Sequence, residues 1–169
     1  MPLSIEEVKT MRTNSFAIAA TRLLLAALIL NAAAWGADRQ VGTWTLNVAK
    51  SKYSPGPAPK SGTLKIEAQE NGLKVTLDGI DAEGKATHVE FAPKYDGKDY
   101  PATGLPNADT ISLSRIDTNT IEALAKKEGK VVMTTRSVVS KDGKTRTTTQ
   151  TGKNPMGQDV NNTVVYDKQ

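Results

Sequence analysis

The stretch VGTWTLN, residues 41–47, decides how the rest of the chain is read. Trp44 and Leu46 fall on one side of an extended chain, with Val48 next in phase, and Thr43, Thr45 and Asn47 fall on the other. A period of two marks a strand with one dry face and one wet face. The question it raises is whether enough such strands follow to wrap a sheet round on itself.

Downstream, the same alternation returns repeatedly. Over 63–69, Leu64, Ile66 and Ala68 oppose Lys65, Glu67 and Gln69; over 73–78, Leu73, Val75 and Leu77 oppose Lys74, Thr76 and Asp78. Over 86–92, Thr87, Val89 and Phe91 oppose His88 and Glu90; over 110–116, Ile111 and Leu113 oppose Ser112 and Ser114. Asn71-Gly72, Asp96-Gly97 and Asp142-Gly143 are hairpin dipeptides, because these residue types tolerate positive φ. Residues 120–127 (TIEALAKK) are rich in helix formers, yet they lie between turns at Thr118-Asn119 and Glu128-Gly129 and alternate with Ile121, Ala123 and Ala125 inward, which favours a strand. Residues 130–140 and 144–151 read as a β-branched hairpin, and 162–167 as a last strand.

The expectation is an all-β fold: an antiparallel up-and-down meander of about eight to nine strands. A meander of that length closes into a barrel because closure removes both exposed edges. An open sandwich is the alternative. Residues 49–60 and 99–109 carry prolines and are expected to be long loops, which either hold a binding function or merely cap the barrel.

Ahead of this region, residues 1–37 read as a signal peptide, leaving a single barrel domain over 38–169. Met11-Arg12 and Arg22 supply positive charge, Leu23 to Ala34 is a compact apolar core, and Ala32–Gly36 offers small residues for cleavage. The core is shorter than the ~20 apolar residues that span a bilayer, so an uncleaved anchor is the weaker reading and no membrane span remains after cleavage. Glu6 and Glu7 give residues 1–10 the wrong charge for a leader, which points to Met11 as the true start. Export makes the protein periplasmic or secreted. With no cysteine in the chain, neither a lipid anchor nor a disulfide is available.

From Asp38 onward there are 19 Lys and Arg against 16 Asp and Glu, a net charge of +3 spread without a basic stripe. That distribution argues against a nucleic-acid partner. His88 is the only histidine and falls on the outward face beside Glu90, so no histidine-based metal site is expected. Asp78, Asp81 and Glu83 cluster near a turn but lack calcium-loop spacing. No nucleophile motif is present, so neither catalysis nor a cofactor is expected.

The Gly42-x-Trp44 pattern on the first strand of a meander resembles the lipocalin and fatty-acid-binding-protein group. The wider string GTWTLN…KSKYSPGPAPKSGTL…KYDGKDYPATG…NADT is similar to uncharacterised exported bacterial lipocalin-like (calycin-type) β-barrel proteins. The resemblance implies a barrel plugged at one end by the tryptophan. In that group an arginine near the last strand stacks on the ring; the C-terminal end here offers Lys168.

Eight strands leave room for side chains or one small ligand. The expected function is therefore an exported, monomeric binding protein holding a small apolar or amphiphilic molecule, with a filled barrel acting as an envelope module as the alternative. Trp44, Leu64, Val75, Phe91, Leu113 and Arg115 are the lumen candidates, with Tyr100 among the loop tyrosines, beside Tyr53 and Tyr95. Arg115 continues the inward phase of Ile111 and Leu113; its partner is open between a ligand carboxylate, the Trp44 ring and a protein acid, or it escapes to solvent beside Asp117. Thr145, Thr147, Thr149 and Thr151 face one way and Arg146, Thr148 and Gln150 the other, so this strand has no apolar face and its inward side stays undecided.

Overall fold

The computed structural model describes residues 38–169. They form ten strands: β1 (Gly42–Leu46), β2 (Ser61–Gln69), β3 (Gly72–Ile80), β4 (Ala86–Phe91), β5 (Tyr100–Thr103), β6 (Thr110–Arg115), β7 (Thr120–Lys127), β8 (Lys130–Val139), β9 (Thr145–Lys153) and β10 (Asp159–Lys168). Each pairs antiparallel with the next, and β1 also pairs with β10, so the meander is a closed barrel. The strand reading of 120–127 holds: β7 pairs from end to end with β8 and over residues 121–126 with β6, and these tertiary pairings override its helix propensity.

The tenth strand is β5, which lies in the segment expected to be a loop. It is four residues long and contributes only two register pairs on either side. Pro101 lacks a ladder donor, and a strand this short tolerates that loss. The proline segment before β2 behaves as expected. A one-turn 3-10 helix, Val48–Lys50, opens it, and a bridge from Lys52 to Thr163 and a bond from the Asn161 amide to the Ser54 carbonyl tie it to β10.

Register sorts the side chains between lumen and exterior. Leu64 pairs with Trp44 and Leu77, and Ile66 with Val75. Val75 pairs with Phe91, and Leu113 with Ala123. This inward set contains the buried core of Trp44, Leu64, Ile66, Leu73, Val75, Leu113, Ile121 and Val139. Outside stand Lys65, Lys74, Glu90, Glu122 and Arg136, a polar exterior that suits water. Among the described residues, no helix is long and apolar enough to cross a membrane.

The two barrel ends differ. At one end, residues 38–41 cross beneath the strands and seal the floor. At the other, the loops 104–109 and 154–158 and the segment around Pro55 stand over the strand ends.

At β8 the mouth is shaped by a bulge. Ala125 pairs with Met133 but Lys126 with Val131, which leaves Val132 as the extra residue. Gly152 lies against this bulge, and a Cβ there would sit 2.1 Å from the Val132 carbonyl oxygen. Only glycine permits that approach.

Candidate functional site in the barrel lumen

The floor begins with Trp44, which is fully buried and donates from Nε1 to the Gln40 carbonyl at 3.0 Å. Lys168 stands on the neighbouring strand with its Nζ 4.9 Å from the Trp44 ring centroid and donating to the Val41 carbonyl at 3.0 Å. Such a cation over an indole face adds attraction to the packing. Gly42 makes room for it: a Cβ there would lie 2.7 Å from Lys168 Cε, and φ of +142° is itself hard for other residues. The spacing of Gly42 and Trp44 thus has a local cause in the path of Lys168.

Gln40 is fully buried and holds three elements together. Its Nε2 donates to the Asn119 carbonyl at 2.8 Å, while its Oε1 accepts from Arg146 Nη1. Beside it, Asp38 accepts from Tyr95 Oη at 2.7 Å and pairs with Arg115, whose guanidinium lies 4.1 Å over the Tyr95 ring. Burial pushes the Asp38 carboxyl up, but hydrogen bonds from Arg115 and Tyr95 outweigh it and hold the group below its ordinary value. Burial also raises the Tyr95 phenol, helped by its bond to Asp38.

Above the floor lies a cavity of about 450 Å³. Strands β2 to β4, β6 and β7 line it with apolar side chains, among them Leu64, Leu73, Val75, Phe91, Leu113 and Ile121. Strands β8 and β9 line it with Thr135, Ser137, Arg146, Thr148 and Gln150, and β10 adds Asn162 and Tyr166; nearer the mouth these strands add Val132, Met133 and Val160. Ser137 and Thr148 share a hydrogen bond of 3.0 Å, and Asn162 Nδ2 donates to Gln150 Oε1 at 3.2 Å.

Arg146 sits where this polar wall meets the floor. It is 6% exposed, and its Nε has no hydrogen-bond partner. Among the described residues it forms no ion pair; Asp38, which acts on it electrostatically, is paired with Arg115. Desolvation lowers its pKa to about 10, so it stays charged at neutral pH. Burial pushes the neighbouring Tyr166 phenol up, with Arg146 opposing, and burial pushes Tyr53 up to about 12.

Four expected site residues, Leu64, Val75, Phe91 and Leu113, line the cavity. The other three do not. Trp44 is spent on the floor. Tyr100 pairs with Ile111, but its hydroxyl donates to Asp96 at 2.9 Å near the strand end. Arg115 lies at the end of β6 and turns to a protein acid; that acid is Asp38 rather than Asp117.

The arginine that reaches the lumen is Arg146, which sequence reasoning left undecided. Thr145, Thr147, Thr149 and Thr151 face outward, as the inward pairing of Arg146 with Val139 and Tyr166 requires.

His88 lies on the exterior with Nδ1 2.6 Å from Asp78 Oδ1 across the β3–β4 pair. Asp81 is used in its own turn, accepting from the Lys85 amide at 2.7 Å. Among the described residues, no group of three or more His, Cys, Asp or Glu side chains is placed to hold a metal ion.

No protein-family model matches the chain, and no curated protein matches it.

Proposed function

We propose that the protein is a non-catalytic binding protein that takes a small amphiphilic molecule into the barrel lumen. One observation carries the reading: a cavity of about 450 Å³ with a largely apolar wall has a buried, incompletely bonded arginine at its base. Sites for small molecules fall at roughly 300–1,000 Å³ and combine apolar lining with a few placed polar groups. A buried cation with no acidic partner costs stability, and a ligand anion would relieve that cost. The same volume weighs against a filled barrel serving only as an envelope module.

Export belongs to this proposal and rests on residues 11–37, which lie outside the described residues. N-terminal sequencing of protein recovered from the periplasm or medium checks it, and a mature chain beginning between residues 33 and 38 is expected. Binding is tested by native mass spectrometry of protein purified without detergent, together with titration of a fluorescent fatty acid. A saturable one-to-one complex is expected. A bare-chain mass with no saturable signal would remove the reading.

A further inference from the structure

Resting on that reading, we infer that the lumen is built for a facially amphiphilic anion: a molecule with polar groups along one edge, an apolar opposite edge and an acid at its leading end. From its base to its middle the cavity is divided lengthwise in polarity, while Val132, Met133 and Val160 make the polar strands apolar at the mouth. A head-and-tail amphiphile, such as a straight-chain acid, needs one polar end and an apolar sleeve all round. Here Gln150 and Asn162, Thr135, and the Ser137–Thr148 pair continue the polar strip that Arg146 begins. Facing them across the lumen are Leu73, Val75 and Phe91, with Leu113 and Ile121 on the strands between.

The strip has capacity to spare. The Ser137–Thr148 bond uses one donor and one acceptor of two hydroxyls that together offer two donors and four acceptor sites. Gln150 accepts from Asn162 with its oxygen, and its amide nitrogen carries two donors. Arg146 gives one of its five N–H donors to Gln40, and its Nε gives none.

An alkyl chain laid along this strip would leave those groups facing hydrocarbon, stripped of water and without a partner. A ligand with hydroxyls on the matching edge would satisfy them, and its carboxylate would meet the guanidinium at the base. Specificity would then come from what the strip rejects as much as from what it accepts.

The test is calorimetric titration of the intact protein with two probes below their micelle concentrations. Cholate has hydroxyls on one face and a carboxylate; laurate has a carboxylate and a plain chain. Cholate is expected to bind at least about tenfold tighter than laurate. Arg146→Met should weaken both probes about tenfold or more. Thr148→Val should weaken cholate several-fold and leave laurate unchanged or improved. Laurate binding as tightly as cholate, with Thr148→Val affecting neither, would overturn the lengthwise reading and leave amphiphile binding standing. If neither probe binds saturably, amphiphile binding itself fails, and this inference with it. Circular dichroism of each variant separates lost binding from lost fold.

Discussion

On one side of the lumen, β3, β4, β6 and β7 turn Leu73, Val75, Phe91, Leu113 and Ile121 inward; on the other, below Val132 and Met133 at the mouth, β8 and β9 turn Thr135, Ser137, Arg146, Thr148 and Gln150 into the same space. Both walls share one backbone ladder, so the difference lies in the side chains alone. The apolar wall holds the barrel together, because burying a large aliphatic or aromatic side chain contributes about 1.5–3 kcal/mol. The polar wall does the reverse. An arginine with an unpaired N–H, 6% exposed, is poor material for stability. The contrast assigns stability to one wall and recognition to the other.

The largest effect is expected on the apolar wall. Leu73→Ala removes a fully buried side chain and should cost about 2–5 kcal/mol, read as a lower urea midpoint with unchanged slope. A cost under about 1 kcal/mol would mean that this wall is not what holds the barrel.

The floor beneath both walls comes next. Asp38→Asn should cost about 1–3 kcal/mol at pH 7 by weakening the bonds to Arg115 and Tyr95. The folded carboxyl titrates below its ordinary value, so its contribution is present above about pH 4 and is lost as pH falls through the folded value. The gap between wild type and variant should therefore shrink at pH 3. An equal gap at both pH values would place the stabilisation elsewhere.

Smaller effects belong to the polar wall. Thr148→Val breaks the bond to Ser137 and should cost about 0.5–1.5 kcal/mol in urea unfolding. Arg146→Met should move the stability of the ligand-free protein least, within about 1 kcal/mol. The acceptor left unpaired on Gln40 is offset by removal of a buried cation. A severe loss of fold in Arg146→Met would break the division between the walls, since the arginine would then be structural.

The apolar wall was legible in the sequence and the polar wall was not. Leu64, Val75, Phe91 and Leu113 sit in strands where one face is apolar, so alternation fixes their direction. In β9 both faces are polar, and alternation alone cannot choose between them. A signal was present in the hairpin turn. Counting back from Asp142-Gly143 pairs Arg146 with Val139, whose inward phase follows from its neighbours.

Arg115 misled for a different reason. It continues the phase of β6, but its partner Asp38 lies in a segment without periodicity, before the first strand. β5 stayed hidden because Pro101 and a length of four residues leave no pattern to read.

The most direct test of the central claim is a methyl-resolved NMR titration with cholate, because β9 carries its own control. Thr148 faces the lumen, and Thr147 and Thr149 face the exterior. Binding between the two walls predicts saturable shifts at the methyls of Thr148, Leu113 and Ile121, with Thr147 and Thr149 unmoved. Shifts confined to Thr147 and Thr149, or none at any of these methyls, would contradict a ligand held in the barrel.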